Sequence, residues 1–391
     1  MLAALSREPQ PARRGLTRNR ARALAGAIGA PLGAVTAGEL RRGCELVHRL
    51  VLVSRAPDAL ERFLDQPEVV AMLERDERHA VGVTVEGIAV ELVAGPPAGF
   101  GSELVRATGS EAYVAALEPL PDAVSEEEVY GRLGLPWLPP ELRESPFRGE
   151  PPALVELSDI RGDLHCHTTW SDGKASVLEM ATAARDRGYE YLAICDHTPN
   201  VRVVPGLDAD ALRRQAEEIA AANEELTPFR VLRGAECDIR ADGSLDLPDD
   251  VLSELEWVQL SLHAGQRLPQ AELTARVTEA MRHPAVCCLS HPRGRILNHR
   301  PANALDLERT IDVALETGVA LETNGLPDRL DLRDEEVRLA IEAGVPVVCS
   351  TDAHSVQGLD NMRLAVTTAR RGWATAADVL NVRPLAEILR P

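Results

Sequence analysis

Residues 162–173 read GDLHCHTTWSDG, an apolar run that ends in two histidines and a polar turn. In an extended strand, His165 and His167 project from one face and Cys166 from the other, so both imidazoles are presented together. Six further short runs rich in valine, isoleucine, leucine and cysteine follow this one. The seven predicted strands are Gly162–Thr168, Tyr189–Asp196, Arg230–Asp238, Trp257–His263, Ala285–His291, Gly318–Asn324 and Val345–Asp352.

Amphipathic stretches separate the predicted strands. They lie near Val177–Arg187, Ala209–Leu226, Asp249–Leu255, Ala271–Arg282, Asn303–Glu316 and Asp334–Ala343. Seven strands that alternate with helices predict a parallel α/β barrel. We therefore predict an α/β protein in which a distorted, TIM-like (βα)7 barrel over residues 151–391 follows a smaller α+β domain over residues 1–150.

Metal-binding residue types fall at the carboxyl ends of almost all these strands, where barrels of this kind carry their chemistry. A single histidine there is more simply explained as a buried, hydrogen-bonded side chain, but the recurrence at strand ends predicts a cluster of metal ions. The nine candidate ligands are His165, His167, Asp172, His197, Glu236, His263, His291, Asp352 and His354. Imidazole and carboxylate together admit zinc, manganese or iron. Such a cluster activates water and orients phosphate, which predicts phosphoester hydrolysis with metal-activated water, and no protein side chain, as the nucleophile.

The charge of the chain bears on its partners. A net charge of −19 would repel a phosphate backbone unless positive charge is concentrated locally or divalent metals neutralise the site. Residues 1–55 contain ten arginines against three glutamates. This Arg-rich N-terminal region could contact DNA weakly, although a solvated helix face and a frayed terminus explain it more simply. With no long apolar run, no signal-like N-terminus and seven scattered cysteines, the chain is expected to be cytoplasmic, without a membrane partner.

Six motifs resemble the metal-binding motifs of the PHP (polymerase and histidinol phosphatase) domain, namely DLHCHTTWSDG, ICDH, GAECDI, SLH, SHP and STDAH. Residues 160–391 resemble more narrowly the PHP domain at the C-terminus of bacterial family X DNA polymerases (PolX), through LPDRLDLRDE, ARRGW and ADGSLDLPDDVL. The resemblance implies three divalent ions. The first would be held by His165, His167, Glu236 and Asp352, the second by Glu236, His263 and His291, and the third by Asp172, His197 and His354.

The N-terminal part resembles the polymerase part of PolX. GELRRGCELVHRLVLV, at residues 38–53, is similar to the palm motif, and EEEVYGRLGLPWLPPELRE is similar to the segment that leads into the PHP domain. Arg49 and Val51 stand where the family places two metal-binding aspartates, and Glu91 takes the third position. Because nucleotidyl transfer needs carboxylates on both of its metal ions, we predict that polymerase activity is absent.

This N-terminal part is accordingly interpreted as a truncated, inactive palm and thumb remnant. Glu39 replaces the serine that helps to bind the triphosphate in the family, and a carboxylate there would repel the nucleotide. The remnant could be a scaffold for the barrel, a docking surface, or a weak DNA grip through Arg41 and Arg42.

Three functions stay open. The PolX resemblance implies a 3′-5′ exonuclease or a 3′-end processing phosphoesterase that acts on DNA. The histidinol phosphatase branch implies a phosphatase of small phosphomonoesters, for which no polymer groove is needed. A non-enzymatic partner module is the third hypothesis, and the complete ligand set weighs against it. Arg293, Arg295 and Lys174, the only lysine, are candidates to bind the substrate phosphate.

Overall fold

A computed structural model describes residues 14–389, so residues 1–13 of the Arg-rich region lie outside the described part. The chain divides into two compact units. The first extends to Pro151 and includes Leu297–His299, and the second comprises Pro152–Ile296 and the chain from Arg300 onward. Every helix within residues 14–389 is too short or too polar to span a lipid bilayer.

The first unit is built on a mixed β-sheet. Its strands are β1 (Leu16–Thr17), β2 (Ala34–Ala37), β3 (Leu46–Val47), β4 (Arg49–Ser54), β5 (Val69–Arg75), β6 (His79–Thr84) and β7 (Ala89–Ala94). Its helices are α1 (Arg18–Gly29), α2 (Gly38–Arg41), α3 (Ala59–Arg62), α4 (Phe100–Thr108), α5 (Glu111–Leu117) and α6 (Glu126–Leu133). A five-stranded sheet has the order β2-β4-β7-β6-β5, in which only β4 and β7 are parallel. The mixed sheet confirms the predicted smaller α+β domain.

Strand β4 is the centre of this unit because its sequence, RLVLVS, is apolar on both faces. Leu50 and Leu52 pack in a cluster that includes Ile28 of α1. Val51, which projects from the other face, packs with Phe100 of α4. Helices therefore cover the sheet on both sides.

The second unit is the predicted parallel barrel. Its strands are β8 (Gly162–Cys166), β9 (Tyr191–Ile194), β10 (Arg230–Asp238), β11 (Trp257–Ser261), β12 (Cys288–Leu289), β13 (Ala320–Asn324) and β14 (Val347–Ser350). The seven strands are neighbours in chain order. Backbone hydrogen bonds of 2.9 Å, from Asp352 N to His165 O and from His167 N to Ala353 O, join the first and last strands. The barrel is therefore nearly closed.

Five of the seven strands, β8, β9, β11, β12 and β14, end two residues before the predicted end. The residues beyond these ends include His167, His263, His291 and Asp352, all predicted metal ligands. His291 and Asp352 have positive φ angles of 24° and 51°, which are incompatible with a strand. The backbone thus leaves the sheet where it delivers these ligands.

Helices α7 to α12 match the six predicted helices, two of them with identical bounds. They are α7 (Val177–Asp186), α8 (Ala209–Leu226), α9 (Asp249–Leu252), α10 (Gln270–Ala280), α11 (Leu307–Thr317) and α12 (Asp334–Ala343). Two more helices, α13 (Met362–Arg371) and the short α14 (Leu385–Ile388), were not predicted. Met362, Ala365 and Ala369 of α13 are buried in the barrel core, and this packing outweighs the low helix propensity of the β-branched run Val-Thr-Thr.

Candidate metal centre

The nine predicted ligands form one connected cluster at the carboxyl ends of the barrel strands. At its deepest point are His165 and His167, whose side chains are fully buried and whose Nε2 atoms lie 3.2 Å apart. His167 Nε2 is 3.1 Å from Asp352 Oδ1. Alternation on β8 and the turn after β14 therefore direct two imidazoles and a carboxylate to one point.

Glu236, near the end of β10, lies at the middle of the cluster and is 1% exposed. Its Oε1 is 2.8 Å from His291 Nε2 and 3.5 Å from His263 Nε2. Its Oε2 is 2.8 Å from His197 Nδ1 and 3.7 Å from His165 Nε2. One carboxylate thus faces histidines on several strands, so Glu236 could hold a cation together with more than one of them.

The outer edge of the cluster is formed by Asp172, His197 and His354. His354 Nε2 lies 3.3 Å from Asp172 Oδ2, and His197 Nε2 lies 3.6 Å from Asp172 Oδ1. The side chains of Asp172 and His354 are 25% and 30% exposed, whereas that of His165 is fully buried. Access from solvent is therefore on this side.

Three groups of side chains each present ligand atoms within 4.8 Å of one another. They are His165, His167 and Asp352; His197, Glu236 and His263; and His167, Asp172, His197 and His354. The groups share His167 and His197, whereas the resemblance assigns each of these histidines to one ion. Because the groups overlap, ligand atoms run without a break across the end of the barrel.

Two imidazole nitrogens of the cluster, the Nδ1 atoms of His167 and His291, are buried and make no hydrogen bond within the described residues. A buried polar atom without a partner is costly, and such atoms are rare in folded proteins unless they serve another purpose. Nitrogen lone pairs beside carboxylates fit divalent transition metals, so the donor set suits the ions predicted from the sequence.

The ionisation of the cluster also favours cations. Burial alone would raise the pKa of Glu236, but the surrounding histidines, above all His263 and His197, hold it well below its ordinary value. The pKa of Asp352 is held well below its ordinary value by the same balance. Burial lowers the pKa of His167 to about 3, so its imidazole is neutral near pH 7. These three groups are in the protonation states that metal binding requires. Burial alone would lower the pKa of His165 and His197, but the neighbouring carboxylates raise it, so these two imidazoles release a proton when a metal binds.

A tenth side chain, Glu322 of β13, was not among the predicted site residues. It is fully buried, and one of its oxygens lies 2.7 Å from His165 Nδ1. Two residues later on the same face, Asn324 donates from Nδ2 to Asp352 Oδ2 over 3.0 Å. The position of Asn324 at a strand end is visible in the sequence, and the period of two along a strand would have extended that signal to Glu322.

The three predicted phosphate-binding residues have different surroundings. The Arg293 guanidinium donates to the carbonyl of Leu305 and pairs with Glu336, with Nε 3.1 Å from Oε1. Arg295 is 7% exposed and donates to the carbonyl of Leu330. These contacts hold both guanidinium groups within the loops after β12 and β13.

Lys174 lies beside the cluster, because its backbone N–H donates to the carbonyl of His354 over 2.8 Å. Its ammonium group makes no ion pair with the residues described, so it is available to an anion. Arg329, in the loop after β13, also reaches the cluster, and its Nε is 3.6 Å from Asp352 Oδ2. The sequence contains many loop arginines, and nothing in its pattern distinguishes Arg329 from them.

In the first unit, the three positions that resemble polymerase metal ligands do not form a cation site. Arg49 Nη1 is 3.1 Å from Glu91 Oε2, and Val51 is buried. Glu39 accepts hydrogen bonds from the backbone N–H groups of His48 and Arg49. No group of three or more metal-binding side chains occurs in the part of this unit that the structure describes.

Arg41 and Arg42 of the palm-like motif are turned toward the interior of their own unit. Arg41 forms a bidentate pair with Glu126 at 2.7 Å. Arg42 donates to Glu144 over 3.0 Å and to the carbonyl of Thr108 over 2.7 Å. Both guanidinium groups are thus engaged in internal contacts, which does not favour their use as a DNA grip.

Comparison with known proteins shows which family the barrel resembles. The PHP domain family matches residues 163–324. A protein named DNA polymerase/3′-5′ exonuclease PolX, from Bacillus subtilis, is 44% identical over 268 residues, which are 68% of this chain and 47% of that protein. This chain thus spans about half the length of that relative.

Smaller relatives are covered more completely. A protein named probable phosphatase, from Acetivibrio thermocellus, is 31% identical over 201 residues, which are 49% of this chain and 78% of that protein. Another probable phosphatase, from Syntrophotalea carbinolica, is 27% identical over 229 residues, which are 56% of this chain and 90% of that protein.

Proposed function

This chain belongs to the PHP family of metal-dependent phosphoester hydrolases, and from that membership we propose that its barrel acts on DNA 3′ ends, as a 3′-5′ exonuclease or a 3′-end processing phosphoesterase. The observation that carries the proposal is the cluster of nine ligands, in which the buried Nδ1 atoms of His167 and His291 have no hydrogen-bond partner among the described residues. The 44% identity to a relative named as a 3′-5′ exonuclease supports DNA as the substrate class.

We assign three divalent ions, of zinc, manganese or iron, to the cluster. When bound, the ions supply an activated water and stabilise the negative charge that develops on the phosphoryl group. The carboxylates of Glu236 and Asp352 are already ionised and the imidazole of His167 is already neutral, whereas His165 and His197 release a proton when an ion binds. Substrate enters on the exposed side, where Asp172 and His354 lie. Lys174, whose backbone N–H donates to the carbonyl of His354, and Arg329, whose Nε lies 3.6 Å from Asp352 Oδ2, add positive charge to the site, so that they can donate to phosphate oxygens.

The negative net charge of the chain affects how it can bind DNA. A net charge of −19 opposes long-range attraction of DNA, so binding depends on the ions and on the few cationic groups at the entrance. We expect weak binding that weakens further as salt rises. We expect no polymerase activity from the first unit, since Arg49 occupies the place of a metal ligand.

A phosphatase of small phosphomonoesters is the second candidate. It is supported by two relatives named as probable phosphatases, because the match with this chain covers 78% of one and 90% of the other. A small ester also needs no attraction over long distances, so the acidic charge is tolerable. The third hypothesis, a non-enzymatic partner module, has the intact ligand set against it, because a decayed site would carry replacements like those at Arg49 and Val51.

The deciding experiment compares two substrates under one set of conditions. The protein, stripped of metal and reconstituted with Mn²⁺, is incubated at low salt with single-stranded DNA labelled at its 5′ end and, separately, with a panel of small phosphomonoesters. Stepwise shortening from the 3′ end would support the exonuclease, and release of phosphate from small esters with intact DNA would establish the phosphatase. His165→Ala should abolish either activity, and His299→Ala, an exposed histidine outside the cluster, should retain it.

A further inference from the structure

The buried carboxylate of Glu322 lies in the middle of β13, beneath the metal cluster and fully shielded from solvent. A buried carboxylate is costly unless its oxygens are fully hydrogen-bonded. The surroundings of Glu322 meet this condition, because side chains and a backbone N–H that can donate hydrogen bonds face both of its oxygens.

Six donors converge on this one side chain. Oε1 faces His165 Nδ1 at 2.7 Å, Gln259 Nε2 at 2.8 Å and Ser350 Oγ at 2.5 Å. Oε2 faces the backbone N of His291 at 2.7 Å, Ser290 Oγ at 3.2 Å and Asn324 Nδ2 at 3.2 Å. A carboxylate offers about four lone-pair directions, so both oxygens are saturated by the protein. Glu322 is therefore placed to orient other groups and has no free oxygen for an ion or a substrate.

The contact with His165 determines which nitrogen of that ring faces the cluster. The carboxylate also accepts from Gln259 Nε2 and from the backbone N–H of His291, so it acts as an acceptor and His165 Nδ1 donates the proton of this 2.7 Å bond. The opposite nitrogen, Nε2, is then the one that can offer a lone pair to an ion. It lies 3.2 Å from His167 Nε2 and 3.7 Å from Glu236 Oε2, at the centre of the cluster.

Two further contacts extend the influence of Glu322. Its bond to the backbone N of His291 fixes the residue at which the chain leaves β12 with a positive φ. Through Asn324, whose Nδ2 also donates to Asp352 Oδ2 over 3.0 Å, it positions a third ligand. None of its hydrogen bonds reaches Asp172, His197 or His354, which form the outer edge of the cluster.

We propose that Glu322 is a positioning residue that sets the tautomer and orientation of His165 and supports His291 and Asp352, so that it controls metal affinity at the inner part of the cluster and not at the outer edge. The proposal rests on the metal dependence in the proposed function, but on neither of its two substrate classes. Carboxylates that accept from a metal-bound histidine commonly act in this way.

The test is Glu322→Gln, which keeps the shape of the side chain. Each oxygen of Glu322 accepts from three donors, so an amide NH2 in either orientation would face donors instead of acceptors. Removal of such a partner typically lowers metal affinity by about 10–100-fold. We expect this loss for the inner ions, with the affinity for the outer ion unchanged. Affinities are measured by Mn²⁺ titration against a competing chelator, and bound ions are counted by elemental analysis.

Two variants serve as controls. Asp331→Asn alters another fully buried carboxylate, which contacts no ligand side chain, and should leave all metal affinities as in the wild type. His354→Ala should show the opposite pattern, with loss confined to the outer ion. If Glu322→Gln does not fold, as judged by circular dichroism, Glu322→Asp replaces it, since the shorter carboxylate keeps the charge but withdraws from His165 Nδ1.

Unchanged affinities in a folded variant would overturn the proposal, and so would an equal loss at the inner and outer positions. Activity gives a second measurement. The variant should need about 10–100-fold more Mn²⁺ for half-maximal rate and should recover most of its rate at saturating metal. Should the wild type bind metal but hydrolyse neither DNA nor small esters, the proposed function would fail while the affinity test remained decisive for Glu322.

Discussion

Arg49 and Glu91 form an ion pair between neighbouring strands of the first unit, with Nη1 3.1 Å from Oε2. The other oxygen of Glu91 lies 3.0 Å from His79 Nε2. Val51 stands directly opposite Glu91 in the parallel pairing of β4 and β7, and it contributes no oxygen. The one carboxylate that remains at the three polymerase-like positions is thus occupied by side chains of its own unit.

We expect the protein to add no nucleotides to a primer on a template, with either Mg²⁺ or Mn²⁺. A cationic guanidinium occupies the place of one metal ligand, and a valine that of the other, so two ions cannot be held for nucleotidyl transfer. Primer extension is measured in the His165→Ala background, so that nuclease action cannot hide addition. An active family X polymerase provides the positive control, and extended products from this chain would contradict the interpretation.

Replacement of His167 by alanine should remove more activity than replacement of a supporting residue, because His167 belongs to two of the three ligand groups. We expect the rate of hydrolysis to fall below about 1% of the wild-type rate. Replacement of a residue that only hydrogen-bonds to a metal ligand typically costs about 10–100-fold. The variant should stay folded, since the substitution leaves the apolar side chains of the barrel core unchanged. Hydrolysis and thermal unfolding are measured together with the His299→Ala control, and near-normal hydrolysis at verified metal content would count against the assigned role.

The barrel could be predicted from the sequence because its strands are short apolar runs with turns at both ends, and six of its helices keep a clear amphipathic period. The precise strand ends could not be predicted. A residue such as His291 continues the apolar run, yet its positive φ removes it from the sheet. Helix α13 was not predicted because it is stabilised by the burial of Met362 and Ala365 in the barrel core. This burial depends on the rest of the barrel and is not visible in the local sequence.

The ligands were predictable for a chemical reason, since histidine and aspartate at successive strand ends are a pattern that packing does not produce. The residues that contact these ligands, Glu322 and Arg329, were not predicted. Glu322 reads as one acidic residue in the run ALETN, and its role appears only when six donors surround it. Arg329 differs from Arg293 and Arg295 only in the direction that its loop takes, which no local pattern records.

Arg329→Ala should weaken the reaction without loss of metal. Its Nε lies 3.6 Å from Asp352 Oδ2, so the guanidinium stands beside the cluster and can donate to a phosphate oxygen. A hydrogen bond to a charged group contributes about 1.5–3 kcal/mol, which corresponds to a fall of roughly 10–100-fold in kcat/KM. Arg329→Lys should recover part of this loss. The matched control is Arg338→Ala, an arginine on α12 that pairs with Glu342 at 2.7 Å.

Steady-state kinetics and metal content are measured on all three arginine variants. Equal kcat/KM values for Arg329→Ala and Arg338→Ala would show that Arg329 does not bind substrate. A fall in activity accompanied by loss of bound ions would instead show that its main role is to hold Asp352 in place.

Asp331 gives the second unit a stability that depends on pH. Burial raises the pKa of Asp331 to about 6, despite the charge of Arg295, and its Oδ2 has no hydrogen-bond partner within the described residues. Because the folded state binds this proton more tightly than the unfolded state, the stabilisation is complete below the unfolded pKa of 3.8 and is lost as pH rises through about 6.

The substitution Asp331→Asn removes this titration. The free energy of unfolding of the variant, relative to that of the wild type, should therefore rise by about 1 kcal/mol from pH 5 to pH 8. Urea denaturation of metal-free protein at both pH values measures this difference. Asp328→Asn, an exposed neighbour in the same loop, should show no such change, and a pH-independent difference for Asp331→Asn would mean that its carboxyl group has the same pKa in the folded and unfolded states.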